Sequence, residues 1–231
     1  MTRLIIALES LQQHETEIEQ MYQHTLGYQV RHDRHGADFL REVFAASVNE
    51  RRGASRERGR IAVDRFNKIA DELFHLGENQ NQDDVLGAYQ KIFEKIVCCV
   101  PHVDQKIAAM FLKFVVRFFG TWPAFRPYLF VPLDRVVLKC LKYNLQWDQT
   151  LPEESPSIKN MQKRLRGRDG QPLTYYRRFL DVQDRLQTAA AEAGVERILI
   201  DELWTVGQLF CREYPLCHVC WIRDACVRCR H

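Results

Sequence analysis

The residue with the most chemistry to offer in this chain is cysteine, and it is bunched. Five of the eight cysteines fall in the last twenty-one residues, Cys211-Arg-Glu-Tyr-Pro-Leu-Cys217-His-Val-Cys220-Trp-Ile-Arg-Asp-Ala-Cys226-Val-Arg-Cys229-Arg-His231. Thiolates are soft ligands suited to zinc and to iron–sulfur centres. Cys217, Cys220, Cys226 and Cys229 form two C-x2-C knuckles of the kind that hold zinc. Cys211, Cys217, Cys220 and Cys226 form one compact loop of the kind that holds a [4Fe–4S] cluster. The plain alternative is a set of ordinary buried thiols or disulfides. The bunching, and the lack of any sign of an oxidising compartment, weigh against it.

The loop resembles the cluster loop of endonuclease III and its relatives in the helix-hairpin-helix DNA glycosylase superfamily. The residues that carry the resemblance are Pro215-Leu-Cys217-His-Val-Cys220, then Asp224-Ala-Cys226, entered by Leu203-Trp204-Thr-Val-Gly207-Gln-Leu-Phe210. The first cysteine gap is one residue shorter than the usual family spacing. The resemblance implies a [4Fe–4S] cofactor on Cys211, Cys217, Cys220 and Cys226; zinc is the alternative cofactor and Cys229 the alternative fourth ligand. It also implies that Arg212, Arg223, Arg228 and Arg230 touch DNA phosphates. Solvated surface arginines are the plain alternative for each.

A second stretch extends the resemblance: Val100-Pro-His-Val-Asp-Gln-Lys106-Ile-Ala-Ala-Met-Phe-Leu112. The family's hairpin reads apolar-Pro-Gly-apolar-Gly-x-Lys-x-Ala and runs into a helix. Pro101, Val103, Lys106 and Ala108 match it. His102 and Asp104 stand where the family has the glycines that let backbone amides approach a phosphate. Asp104 would repel that phosphate unless it turns away or pairs with a cation. The family's catalytic aspartate opens a later helix, as in Pro132-Leu133-Asp134-Arg-Val-Val-Leu-Lys-Cys140. The resemblance makes Lys106 the nucleophile and Asp134 its acid–base and electrostatic partner, with hairpin residues His102 and Gln105 against the DNA. A lysine amine can attack the sugar C1′ to form a Schiff base. A carboxylate nearby can take up a proton and stabilise positive charge on the sugar. Taken singly, a lysine after a turn is a surface charge and an aspartate opening a helix is an N-cap.

Two further stretches could meet nucleic acid. Asn49-Glu-Arg-Arg-Gly-Ala-Ser-Arg-Glu-Arg-Gly-Arg60, with Arg51 and Arg52, suits either a loop beside a phosphate backbone or a solvated turn. Phe119-Gly-Thr-Trp-Pro-Ala-Phe-Arg-Pro-Tyr-Leu129 lengthens the chain between Lys106 and Asp134. Its Trp122 and Phe125 could stack on a flipped base, or the segment could be an inert insertion packed on the core.

The elements that must position these residues read as helices. Apolar stripes predict helices over 3–25 (with Gly27 as its end), 38–49, 60–76, 84–97, 133–146, 172–194 (ended by Gly194) and 196–211, the last delivering Cys211. No strand alternation and no internal repeat is visible, so the fold class is all-α. The resemblance implies a two-lobed glycosylase fold. In it, residues 35–131 form a helical barrel with the hairpin, and residues 1–34 and 132–231 form a discontinuous iron–sulfur domain. DNA would lie across the cleft, its target nucleotide flipped toward the Lys/Asp pair.

At 231 residues, with 46% apolar and 27% charged residues, the composition is that of a globular protein. Net charge is +3, from 33 basic and 30 acidic residues, so bulk charge does not identify a polyanion partner. No secretory leader and no span of ~18 apolar residues is visible. The expectation is a monomeric, intracellular protein, cytoplasmic or nucleoid-associated, with no membrane partner. The function the resemblance implies is a DNA glycosylase with abasic-site lyase activity, acting on double-stranded DNA that contains a modified base or an abasic site. The alternative is a non-catalytic nucleic-acid-binding module with a structural iron–sulfur or zinc site.

Overall fold

The computed structural model describes residues 2–27, 30, 35–49, 56–79, 84–151, 165–211 and 215–230. The chain is all-α, and among the described residues the only strand-like pairing is an isolated bridge between Arg166 and Pro172. No described helix is long and apolar enough to cross a membrane. The helices are α1 (Arg3–Gln13), α2 (Glu15–Gly27), α3 (Gly36–Asn49), α4 (Arg56–Asn67), α5 (Ala70–Glu78), α6 (Val85–Cys99), α7 (Gln105–Lys113), α8 (Arg135–Lys139), α9 (Thr174–Glu192) and α10 (Glu202–Phe210). Both α7 and α8 run on into a five-residue π-helical turn, Phe114–Phe118 and Cys140–Asn144 respectively.

The chain divides into two compact units. The middle unit comprises Glu19–Leu129 and Ile158–Leu173. Its core forms where α3 packs on α4, α5 and α7, and where α6 packs on α5 and α7. Phe44 stacks on Phe66 at 3.9 Å, and Phe111 meets both rings edge-on at 5.6 and 5.1 Å. Each such fully buried ring contributes roughly 1.5–3 kcal/mol relative to exposure. Arg166 forks onto Glu94 of α6, with nitrogen–oxygen distances of 2.7–3.0 Å, which ties the turn after residue 164 to this unit.

The other unit comprises Met1–Ile18, Phe130–Ser157 and Thr174–His231. Thr2 caps α1 through its hydroxyl, and Leu4, Ala7, Leu8 and Leu11 bury one stripe. α1 packs against α9 and the 3-10 turn Arg197–Asp201; α10 packs against α8 and its π turn. Gly207 permits that last approach, since a Cβ there would stand 2.5 Å from a Val136 methyl carbon.

Several elements differ from the pattern-based reading. The helix expected over 3–25 is broken at His14, whose ring stacks on Trp221 at 5.1 Å and whose Nδ1 pairs with Glu17. Ser10 also bonds the Trp221 carbonyl, so this break is tied to the cysteine loop. The helix expected over 60–76 starts earlier, at Arg56, and is two helices turning at Lys68 and Ile69. The first unit boundary falls at Ile18/Glu19, because Tyr22 of α2 stacks on Phe118 of the middle unit at 4.7 Å. The second falls at Leu129/Phe130, and Ile158–Leu173 joins the middle unit.

Candidate functional site

The turn before Lys106 has the shape that a glycine would make easiest. Pro101 and His102 are exposed, and His102 has φ +63°. Val103 then buries its side chain, and Asp104 caps α7, its carboxylate accepting from the Ile107 amide at 3.0 Å. Lys106 follows in the first turn of α7 and is half-buried, while Ile107, Ala108, Ala109 and Phe111 seal the helix to the core. Asp104 therefore spends its charge on an amide that an anion could otherwise use. A left-handed conformation costs an ordinary L-residue ~1–2 kcal/mol. His102→Gly is accordingly expected to raise stability by about 0.5–1 kcal/mol in urea unfolding, since glycine's greater unfolded freedom offsets part of the relief. Gln105 requires a correction: its side chain is 1% exposed, so it packs inside and cannot contact a DNA backbone.

Asp134 belongs to the other unit and is held from two sides. Its Oδ1 accepts from the amides of Val136 at 2.8 Å and Val137 at 2.9 Å, capping α8. The extended residues before it are pinned by Gln183 of α9, whose buried amide group donates to the Val131 carbonyl and accepts from the Val131 amide, both at 2.9 Å. Arg197 donates to the Gln183 carbonyl and lies over the Phe130 ring at 5.1 Å. The segment that leads into the Asp134 cap is thus tied to α9. Pattern reading did not find Gln183, because a buried glutamine in an apolar stripe has no sequence signature of its partner.

All eight cysteines are free. The five loop cysteines and Cys140 form one electrostatic neighbourhood. Burial raises the Cys140 thiol well above its ordinary value; Cys211, Cys226 and Cys220 push it the same way, and Arg228 opposes them. Cys211 is raised by burial first, then by Cys226 and Cys217. Cys220 is pushed up to about 11, chiefly by burial, with Cys211 and Cys226 adding to it against hydrogen bonds from the Ile222 backbone and Cys229. Cys229 is raised by burial and by hydrogen bonding with Cys217 and Cys226. Thiols that resist ionising one by one become thiolates together when a metal centre supplies the positive charge. In donor type alone they suit an iron–sulfur cluster or zinc. Among the described residues, no group of three or more His, Cys, Asp or Glu is arranged to hold a metal ion as it stands. A single zinc would draw four thiolates to ~2.3 Å from one point.

The remaining sequence candidates are scattered. Arg223 is exposed on the cysteine loop and pairs with Asp224 at 3.2 Å. Arg228 is exposed on the same loop. Arg51, Arg52 and Arg212 lie outside the described residues, as does the side chain of Arg230. Trp122 and Phe125 are a second correction. Trp122 is 2% exposed and seated over Gly77, where a Cβ would meet its ring at 2.1 Å; Phe125 is packed against it and against Tyr89. Their faces are spent on protein, so in this structure these two rings pack on the core and are not open to stack on a base. Cys140 was not singled out by spacing, since it lies far upstream of the loop on a helix with an ordinary apolar stripe.

No protein-family model matches the chain, and no curated protein or solved structure matches it significantly.

Proposed function

We propose that this chain is a DNA glycosylase with abasic-site lyase activity, its class being that of the helix-hairpin-helix enzymes. What supports the reading most directly is the turn before Lys106. Lys106 lies in the first turn of α7, after a left-handed residue at 102, a buried Val103 and the Asp104 cap, in the order of the resembled hairpin. Lys106 attacks C1′ of the target nucleotide as the N-glycosidic bond breaks and the base leaves with a proton. Cleavage of the C1′–O4′ bond then opens the sugar ring, O4′ taking up a proton, and gives the protonated Schiff base directly. Removal of a C2′ proton then expels the 3′ phosphate and cuts the strand. Asp134 holds the negative charge that stabilises the cationic sugar and takes part in proton transfer. A [4Fe–4S] cluster on Cys211, Cys217, Cys220 and Cys226 (zinc, or Cys229 as fourth ligand, being the alternatives) shapes the loop that carries Arg223 and Arg228 toward DNA phosphates.

Asp134 tests the chemical half of this reading, because its cap and its charge can be separated. Asparagine caps a helix as well as aspartate does, whereas alanine costs roughly 1 kcal/mol at such a position. Asp134→Asn is expected to fold with wild-type stability and to lose base excision by about 10²–10⁴-fold. Equal activity in Asp134→Asn and wild type would leave Asp134 a cap only. The second reading, a non-catalytic nucleic-acid-binding module, draws on one observation: Asp104 occupies the helix amide that a phosphate would use. Strand cleavage of a duplex with one abasic site, by wild type and not by Lys106→Ala, separates the two.

A further inference from the structure

The basic stretch that runs up to Arg60 has no part in the chemistry above, and its second half is built into a helix face. From Arg56 to Lys68 the chain carries five cations and two acids, a net charge of +3, as large as that of the whole chain. All of these but Lys68 lie on α4, and Lys68 sits in the turn that follows. The helix is anchored along one side: Ala62 and Phe66 are buried, and Phe66 stacks on Phe44 of α3 at 3.9 Å. Its other side exposes Arg56, Arg60, Arg65 and Lys68, together with the acids Glu57 and Asp64. Arg60 and Lys68 each stand four residues from Asp64, the spacing at which a helix pairs opposite charges. Yet none of these six side chains forms an ion pair with a described residue. The acids that follow in the chain are engaged elsewhere, Asp71 with Arg41 and Glu72 with Lys95.

We propose that the exposed face of α4 is a further DNA-contact surface, which holds the phosphate backbone of a duplex without reading its sequence. The inference rests on the reading above in taking DNA as the partner, and adds a surface to it. Arg56 to Arg65 covers roughly 14 Å along the helix axis, the length of about four phosphates on one strand. Arginine forks match phosphate oxygens, and a helix fixed along its buried side displays them in a constant array. A protein partner fits this face poorly. Protein interfaces are centred on buried apolar or aromatic anchors, whereas the one exposed apolar side chain of α4 is Ile61, 38% exposed. Glu57 and Asp64 repel the same backbone, so removing them has a predictable sign.

The test titrates duplexes of about 20 base pairs, with and without one abasic site, at several salt concentrations. Arg65→Gln/Lys68→Gln is expected to bind both duplexes about five- to tenfold more weakly at 0.1 M salt, and to lower the slope of log K against log salt by about 1–2. Glutamine keeps the helix propensity of the cations it replaces, and far-ultraviolet circular dichroism checks the fold. Glu57→Gln/Asp64→Asn is expected to bind both duplexes about two- to fivefold more tightly, a gain that a damaged fold cannot produce. Lys91→Gln/Arg178→Gln removes two exposed cations from other helices and is expected to stay within about twofold of wild type. Three results overturn the proposal: no loss in the first variant and no gain in the second, changes no larger than those of the control, or a loss confined to double-stranded RNA of the same sequence. Wild type that binds no duplex even at low salt overturns the DNA reading itself.

Discussion

Cys226→Ser is expected to strip the centre, leaving less than about one iron per chain, and to destabilise its unit by at least ~3 kcal/mol. The size follows from its place. Cys226 is fully buried, and both ligand sets read from the loop, with Cys211 or with Cys229 as the fourth thiol, include it. Its amide also closes the turn onto the carbonyls of Ile222 and Arg223, at 3.0 and 3.3 Å. The loop packs back on α1 through the stack of Trp221 on His14, so a collapsed loop loosens the first helix as well. Cys99→Ser is the control. That thiol is exposed in the middle unit, and such a change stays within about ±0.5 kcal/mol. Iron content and urea unfolding read both. A Cys226→Ser protein with wild-type stability and metal content would remove the centre from the account.

Lys106→Ala is expected to lose strand cleavage at an abasic site by at least about a thousandfold, since the covalent route disappears with the amine. Its affinity for the same duplex should change by no more than a few-fold, because one half-buried side chain supplies at most one phosphate contact. The fold should survive, since Asp104 caps α7 and the residues that bury the helix, Ile107, Ala108 and Phe111, are untouched. Gel-shift titration beside a cleavage time course separates the two effects. Equal loss of binding and cleavage would assign Lys106 to the grip on DNA and not to the chemistry.

Where structure is local, it was legible in the sequence. The stripe Leu4, Ala7, Leu8, Leu11 is buried, and Gly194 takes a positive φ just beyond α9. These follow from helical period and from glycine's access to the left-handed region. The capping roles of Asp104 and Asp134 are equally local, each being an aspartate one residue before a helix. The rest depended on partners distant in sequence. The break at His14 interrupts a continuous apolar pattern because Trp221 stacks there. Trp122 reads as an exposed aromatic until Gly77 is seen to leave room for it. Gln105 looks like a polar hairpin residue and is buried. Cys140 joins the thiols because the π turn after α8 packs on α10 and the loop's last turn, which no spacing rule encodes.

The most direct test of the central claim is borohydride trapping on a duplex with a single abasic site, using wild type beside Lys106→Ala. An abasic site needs no knowledge of the base removed, and borohydride reduces a Schiff base to a stable bond. The account predicts a covalent protein–DNA adduct with wild type and none with Lys106→Ala. An adduct of equal yield from both would place the nucleophile elsewhere, and no adduct from wild type would contradict the lyase reaction altogether.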